Sequence, residues 1–571
     1  MLLPFLVLDT LKYPVREKTK AMQTLNAKRS LPPLVVKLLA GLIICLTISV
    51  AALAVPGGQG KIRQRGHEAL RNGEYEVAEK QFREALAKDS HDNEARLGLS
   101  FALLKQRLLQ DAYDHAARVI MADPLSSRGH ALLGSVILAS GDFHNSVEEF
   151  RTALTIDDQE ALAIAGLAMV DFYENRLDLA LKGLRRAVSL DSREPDYIFN
   201  LGQAAARNER YKEAADCYEK FLAIAPKTDA DRRARIRGLI DFLRYLGKQG
   251  SLYVLEGDSK MTMPFESIDS RPILKVRVNN NREHLRFVLD TGSGMSVISE
   301  ETAKKLGLRA VARGGMARAV GGGGKFEIVY GFLNSLDVGG VRVESVPVYI
   351  RHFFDNKTPI DGYLGLSVIS KFIASVDYGE NIFMLRRPSE AYSKDLWGVP
   401  ISRNSVQPLA PGVLEIPLRT TSSGFLSGEV RLEGVDRPLN FIIDTGASVS
   451  VVSERLAKEE ELNNYLEPTR LRIYGAAGIA DDVKSLLLPK VMLGTFTRER
   501  ISAAVLDLEP VNETSGFTQN GILGGNYLRH FRVSFDFQRG LIRLEPLSKN
   551  AKGGDVVRPE ERLEMNKQLN Q

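Results

Sequence analysis

Two Asp-Thr-Gly triplets occur in the chain, Asp290-Thr291-Gly292 and Asp444-Thr445-Gly446. Each ends one apolar run and precedes another. His284 to Ser299 reads HLRFVLDTGSGMSVIS, and Pro438 to Ser453 reads PLNFIIDTGASVSVVS. Two carboxylates brought within hydrogen-bond distance do not both ionise freely. Their repulsion splits the titration, and one proton is shared over a wide pH range. The ionised member of such a pair can take a proton from a bound water while the protonated member polarises a carbonyl. That chemistry requires neither a metal nor a cofactor. Gly292 and Gly446 suit the same loops, because a residue without Cβ lets backbone approach a carboxylate and aim an N–H at it.

The elements that must hold these loops repeat as well. After Gly250 short β-branched runs alternate with glycine turns, the texture of an all-β region. Asp361 to Leu366 (DGYLGL) corresponds to Asn520 to Gly525 (NGILGG). Phe372 to Leu385 then aligns without gaps to Phe531 to Leu544. The duplication defines one lobe at 252–388, a polar linker at 389–412 and a second lobe at 413–548. Each lobe has a glycine-rich stretch after its triplet: Gly321, Gly322, Gly323 and Gly324 in the first, Tyr474, Gly475 and Gly478 in the second.

This constellation resembles the retropepsin-like aspartic peptidases, over both lobes. The resemblance implies an all-β bilobal acid protease fold with Asp290 and Asp444 as the catalytic pair, astride a pseudo-twofold axis. It implies that Thr291 and Thr445 hydrogen-bond across that axis. It also implies that the two glycine-rich stretches are flaps over a cleft that takes an extended peptide. Ala447-Ser448 follows the family pattern. Gly294 departs from it, standing where a hydroxyl residue often supports the carboxylate.

Residues 59–228 repeat with a period of 34. Small residues recur at Ala78, Ala112, Ser146, Ala180 and Ala214, and large ones at Phe82, Phe150, Leu184 and Tyr218, with Ala116 the exception. Asp89, Asp123, Asp157 and Asp191 mark turns. The pattern resembles the tetratricopeptide repeat, in which small residues let paired helices approach and stacked units bury a shared core. Residues 231–249 read as a capping amphipathic helix, so that 59–249 form an all-α solenoid. Its Arg232, Arg233, Arg235 and Arg237 are expected to form a solvated face.

Residues 38–55 are apolar and uncharged, long enough for one transmembrane helix or signal anchor. A basic tail at 1–37 precedes them and a polar tail at 549–571 closes the chain. The expected placement is a single-pass protein of the inner (cell) membrane, its soluble part periplasmic or extracytoplasmic. A net charge of +5 over 571 residues argues against a nucleic-acid partner. The expected partners are a protein or peptide substrate, a protein bound by the repeats, and the membrane through 38–55. Cys45 and Cys217 and the eight histidines show no metal-site spacing, so no metal is expected. The resulting expectation is a membrane-anchored aspartic endopeptidase. A non-enzymatic peptide-binding adaptor, and lobes that pair between chains, are the competing readings.

Overall fold

The 34-residue period folds as helix pairs. They are Gly58–Asn72 with Tyr75–Lys88, Asn93–Lys105 with Leu109–Ala122, Ser127–Ser140 with Phe143–Ile156, Ala161–Tyr173 with Leu177–Leu190, and Pro195–Arg207 with Tyr211–Ile224. The helix Ala230–Leu246 follows them. The computed structural model describes residues 58–355, 359–388 and 412–547. The apolar segment 38–55, nearly all of the linker 389–412 and the tail 549–571 lie outside these residues. Among the described residues no helix is long and apolar enough to cross a membrane. Among the described residues those from Ile62 onward belong to one compact unit, and the unit before it is described only at Gly58–Lys61.

Packing explains the period. Ala78, Ala112, Ser146, Ala180 and Ala214 are fully buried in the second helices. The Phe82 ring lies between its own unit and the next, where a Cβ at Gly66 or Gly98 would come within 2.7 and 2.4 Å of it. Phe150 does the same between Gly134 and Gly166, at 2.8 and 2.2 Å. Where the large residue is missing, at Ala116, Leu132 and Leu133 fill the space. Asp89, Asp123, Asp157 and Asp191 each accept the N–H two residues on, from His91, Leu125, Gln159 and Arg193. These are the turns in which a short acidic side chain replaces a backbone acceptor.

The turn edge of the array docks onto the β region. The turn within each pair has a left-handed residue in the same register: Gly73, Arg107, Gly141, Asn175 and Glu209. Four of these reach the lobes. Arg107 pairs with Glu509 at 3.5 Å and Glu209 with Lys371 at 2.5 Å. The Asn440 amide donates to Gly141 O, and the Asn175 amide to Phe537 O, both at 3.3 Å. Phe517 of the second lobe is fully buried in the core of the array, edge-on to Phe143 at 4.9 Å and to Tyr173 at 5.1 Å. Phe517→Leu keeps the apolar volume but loses these ring contacts. It is expected to cost about 0.5–1.5 kcal/mol, read as a lower urea midpoint; an unchanged midpoint would deny the contact any weight.

The arginines of Ala230–Leu246 do not form the expected solvated face. Arg232 stacks over Phe199 at 4.8 Å, Arg233 donates to Leu222 O at 2.6 Å, and Arg235 donates to Met316 O at 2.9 Å. Only Arg237 of the four is exposed. A guanidinium satisfies several acceptors while its stem packs on apolar surface, which a helical charge pattern does not reveal.

Two sheets carry the triplets and a third joins them. The first-lobe sheet runs, strand by strand, Val254–Gly257, Val341–Arg351, Val297–Ser299, Gly362–Leu364, Leu285–Leu289, Arg271–Val278, Lys325–Val338 and Ala312–Arg318. The second-lobe sheet repeats the plan: Arg419–Thr420, Leu426–Leu432, Leu439–Ile443, Gly521–Leu523, Ser450–Ser453, Phe496–Leu506, Gly478–Leu493 and Leu466–Gly475. The joining sheet draws strands from both lobes. At its centre Ile373–Asp377 pairs antiparallel with Phe531–Asp536, Ser375 opposite Ser534. Their hydroxyls bond at 2.7 Å. These serines are equivalent in the gapless alignment of the two halves, so a pseudo-twofold axis passes between them.

Candidate active site

Both triplets leave the end of a central strand in the same way. Leu285–Leu289 runs parallel to Gly362–Leu364, and Leu439–Ile443 parallel to Gly521–Leu523. The N–H of Asp290 donates to Leu364 O and that of Asp444 to Leu523 O, both at 3.0 Å. The Leu-Gly elements downstream of each triplet therefore serve to seat the aspartates.

The loops lock together through their threonines, which are fully buried. Thr291 N–H donates to Thr445 Oγ1 at 3.1 Å, and Thr445 N–H to Thr291 Oγ1 at 3.1 Å. The hydroxyl of Thr291 then donates to Ile443 O at 2.8 Å, and that of Thr445 to Leu289 O at 2.7 Å. Every donor and acceptor of this lock is used across the lobe boundary, so neither loop can shift alone.

Between the loops the carboxyls of Asp290 and Asp444 are close enough for each to shift the other's titration. Burial pushes both carboxyls above the usual carboxylate range. Asp290 is pushed furthest, by burial and by the neighbouring charge of Asp444. The backbone donors differ between the two carboxyls. Gly292 N–H donates to Asp290 Oδ1 at 2.9 Å. Asp444 Oδ1 accepts two such bonds, from Gly446 at 2.7 Å and Ala447 at 3.2 Å. Donors favour the charged form, so Asp444 is the better supported of the two carboxylates. Gly292 and Gly446 face the opposite carboxyl: a Cβ would lie 2.3 Å from Asp444 Cγ and 2.7 Å from Asp290 Oδ1 respectively.

Gly294 has a packing reason for its departure from the family pattern. A Cβ there would lie 2.8 Å from Ser423 O, in a second-lobe turn that presses on the Asp290 loop. The other acids near the motifs are structural. Asp361 accepts from Arg286 N and Thr302 Oγ1, Asp377 pairs with Arg532, and Asp536 accepts from Arg539 N.

The glycine-rich stretches are hairpin tips. In the first lobe 319–324 joins Ala312–Arg318 to Lys325–Val338; in the second, 476–477 joins Leu466–Gly475 to Gly478–Leu493. The tips meet backbone to backbone. A Cβ at Gly321 would lie 2.7 Å from Gly475 Cα, one at Gly322 2.5 Å from Gly478 C, and one at Gly324 2.7 Å from Ala477 O. Gly323 has nothing within 4 Å of a Cβ position, and Tyr474 faces the cleft. The cleft holds about 2600 Å³ and includes Asp290 and Asp444. Sequence reasoning missed Arg351, at the end of Val341–Arg351. It lies over the Phe326 ring at 3.8 Å, donates to Ala476 O in the opposite tip, and draws the Asp290 carboxyl down. No local motif marks it, because its partners come from three distant segments.

Comparison with known proteins agrees with this architecture. Residues 274–368 and 428–527 match the model of the aspartyl protease family. Residues 69–136 and 195–228 match tetratricopeptide repeat models. The chain therefore fuses tetratricopeptide repeats to an aspartyl protease domain in two segments. The tetratricopeptide repeat-containing protein trd-1 of Caenorhabditis elegans is 29% identical over 110 residues, which are 19% of this chain and 13% of that protein. The formate-dependent nitrite reductase complex subunit NrfG of Escherichia coli O157:H7 is 29% identical over 106 residues, 18% of this chain and 54% of that protein. The chain thus spans 13% and 54% of the length of these curated relatives. Similar solved structures include a thermophilic tetratricopeptide repeat protein of Thermus thermophilus, at 23% identity, 32% of this chain, 99% of that chain and a TM-score of 0.28. The pilF protein of Pseudomonas aeruginosa is another, at 17% identity, 34% and 87% coverage and a TM-score of 0.26.

Proposed function

We propose that the chain is an aspartic endopeptidase that hydrolyses peptide bonds with a water activated by Asp290 and Asp444. The observation that carries this reading is the buried aspartate pair, held by reciprocal threonine bonds across a pseudo-twofold axis. In this reading Asp444, the charged partner, takes a proton from the attacking water, while Asp290 gives its proton to the scissile carbonyl oxygen. The proton count is restored when the amine leaves. The hairpin tips 319–324 and 476–477 act as flaps that part to admit substrate and close to exclude water. A cleft of about 2600 Å³ is well beyond the ~300–1,000 Å³ of small-molecule sites, which favours a polymeric substrate. Residues 38–55 anchor the protein in the cell membrane with the lobes outside the cytoplasm, and the repeats bind a protein.

The pH profile tests the dyad. Activity needs one proton on the pair, so it falls on the acid side when Asp444 protonates and on the alkaline side when Asp290 ionises. Both carboxyls titrate above the ordinary range, so the whole bell lies higher in pH than two free aspartates would give. A peptide-library assay across pH, with and without a statine-type transition-state mimic, reads this directly. Activity that rises steadily with pH, or ignores the mimic, would rule the mechanism out.

A further inference from the structure

The cleft does not end at the two lobes. Its lining continues from Asp290 and Asp444 to Phe199 and Gln203 on Pro195–Arg207, and to Leu239 on Ala230–Leu246. The two lobes are related by a pseudo-twofold axis and would on their own make a cleft with similar ends. The repeat array adds lining that the pseudo-twofold axis does not duplicate, so the cleft's surroundings are not symmetric.

This third wall is tied to both the floor and the roof of the cleft. On the floor side, the Arg207 guanidinium donates to Thr421 O at 2.5 Å and to Ser422 O at 3.2 Å. The next residues, Ser423 and Gly424, are those that pack on Gly294 in the Asp290 loop. On the roof side, the helix Ala230–Leu246 lies flat on the first-lobe hairpin. A Cβ at Gly238 would fall 2.0 Å from Arg313 O. Phe242 stacks on Tyr330 at 4.2 Å, and Lys325 pairs with Asp231 at 2.6 Å. The wall therefore keeps a set position relative to the reacting carboxyls.

Its chemistry suits an extended chain. Phe199 and Gln203 are one helical turn apart on the same face and both are half-buried. Phe199 presents a ring backed by Phe221 at 5.1 Å and Arg232 at 4.8 Å. The Gln203 amide makes no hydrogen bond among the described residues, which leaves a donor and an acceptor to pair with a peptide group.

We infer that the last repeat pair is a substrate-binding wall: a polypeptide cut at Asp290 and Asp444 continues, on one side of the scissile bond, along Phe199 and Gln203. This rests on the reading of the cleft as a peptidase site. The repeats then select long or unfolded chains over short peptides, and the occupant is the substrate itself, because the surface is continuous with the cleft that cuts it.

The test measures binding apart from cutting. Labelled peptides of about eight residues, ~27 Å when extended at ~3.4 Å per residue, are titrated onto the Asp290→Asn protein by fluorescence anisotropy. They are compared with versions lengthened on the amino or the carboxyl side. Lengthening on one side is expected to lower Kd about tenfold, the scale of one aromatic anchor. Phe199→Ala and Gln203→Ala should each bring the long-to-short Kd ratio towards one. Phe199→Leu, which keeps the helix packing, should do so in part. The inference is overturned if neither extension tightens binding, if both do so alike, or if the gain survives the substitutions. Failure of the unsubstituted protein to cut any peptide would instead defeat the peptidase reading, while the Kd ratio would still report on the wall.

Discussion

Asp290→Asn and Asp444→Asn are each expected to lower kcat/KM by on the order of 10³–10⁴. Neither should lower the melting temperature at neutral pH. The two aspartates share one proton and one charge, so removing either leaves no pair to split water and polarise the carbonyl. The single losses should be as large as the double loss, because the residues act as a unit. The stability half of the expectation follows from the pKa directions. Both carboxyls are raised in the folded protein by burial, Asp290 further by its neighbour's charge. A group raised on folding lends stability that is complete below its unfolded pKa and is lost as the pH climbs through the folded value. At neutral pH the dyad is therefore a burden on the fold, and a neutral Asn relieves it. Measuring kcat/KM and thermal melting on the same samples checks both halves. A variant that keeps activity within a few fold of the parent would refute the dyad. One that loses activity only because it melts early would leave the residue structural.

Gly292→Ala should lose about 100-fold in kcat/KM, although alanine is chemically inert. The added Cβ would stand 2.3 Å from Asp444 Cγ, far inside contact distance. Relief requires the loop or the carboxyl to move, and a misplacement of about 1 Å at a reacting group costs roughly 10²-fold. Overpacking of this kind also costs about 1–3 kcal/mol of stability. Gly446→Ala should be the milder twin, since its Cβ would stand 2.7 Å from Asp290 Oδ1. The effect is steric and not conformational: neither glycine is in the left-handed region. The order of severity is the informative measurement. Equal, small losses from both would mean that the loops yield easily and that the threonine lock does not hold them.

Much of the architecture can be read in the residues alone, where the signal is local or repeated. The 34-residue spacing of small and aromatic residues is legible because each unit meets its neighbour in the same way, Phe82 and Phe150 filling equivalent grooves. The paired Asp-Thr-Gly loops are legible because strand, triplet and Leu-Gly element recur in one order. The departure at Gly294 is visible in the residues, but its packing reason is not. That reason is a second-lobe turn more than a hundred residues away. The arginines of Ala230–Leu246 were misjudged for the same cause, since their acceptors lie on other elements.

The amino-acid sequence by itself determined the two carboxylates, the glycines that admit them and the helices of the array. These depend on residue type, period and steric fit within short segments. The tertiary structure alone decided how many backbone donors each aspartate receives, how Arg351 ties the hairpin tips, and that the repeats dock on the lobes and border the cleft. Those outcomes depend on burial and on single hydrogen bonds between segments hundreds of residues apart, which leave no periodic trace in either partner.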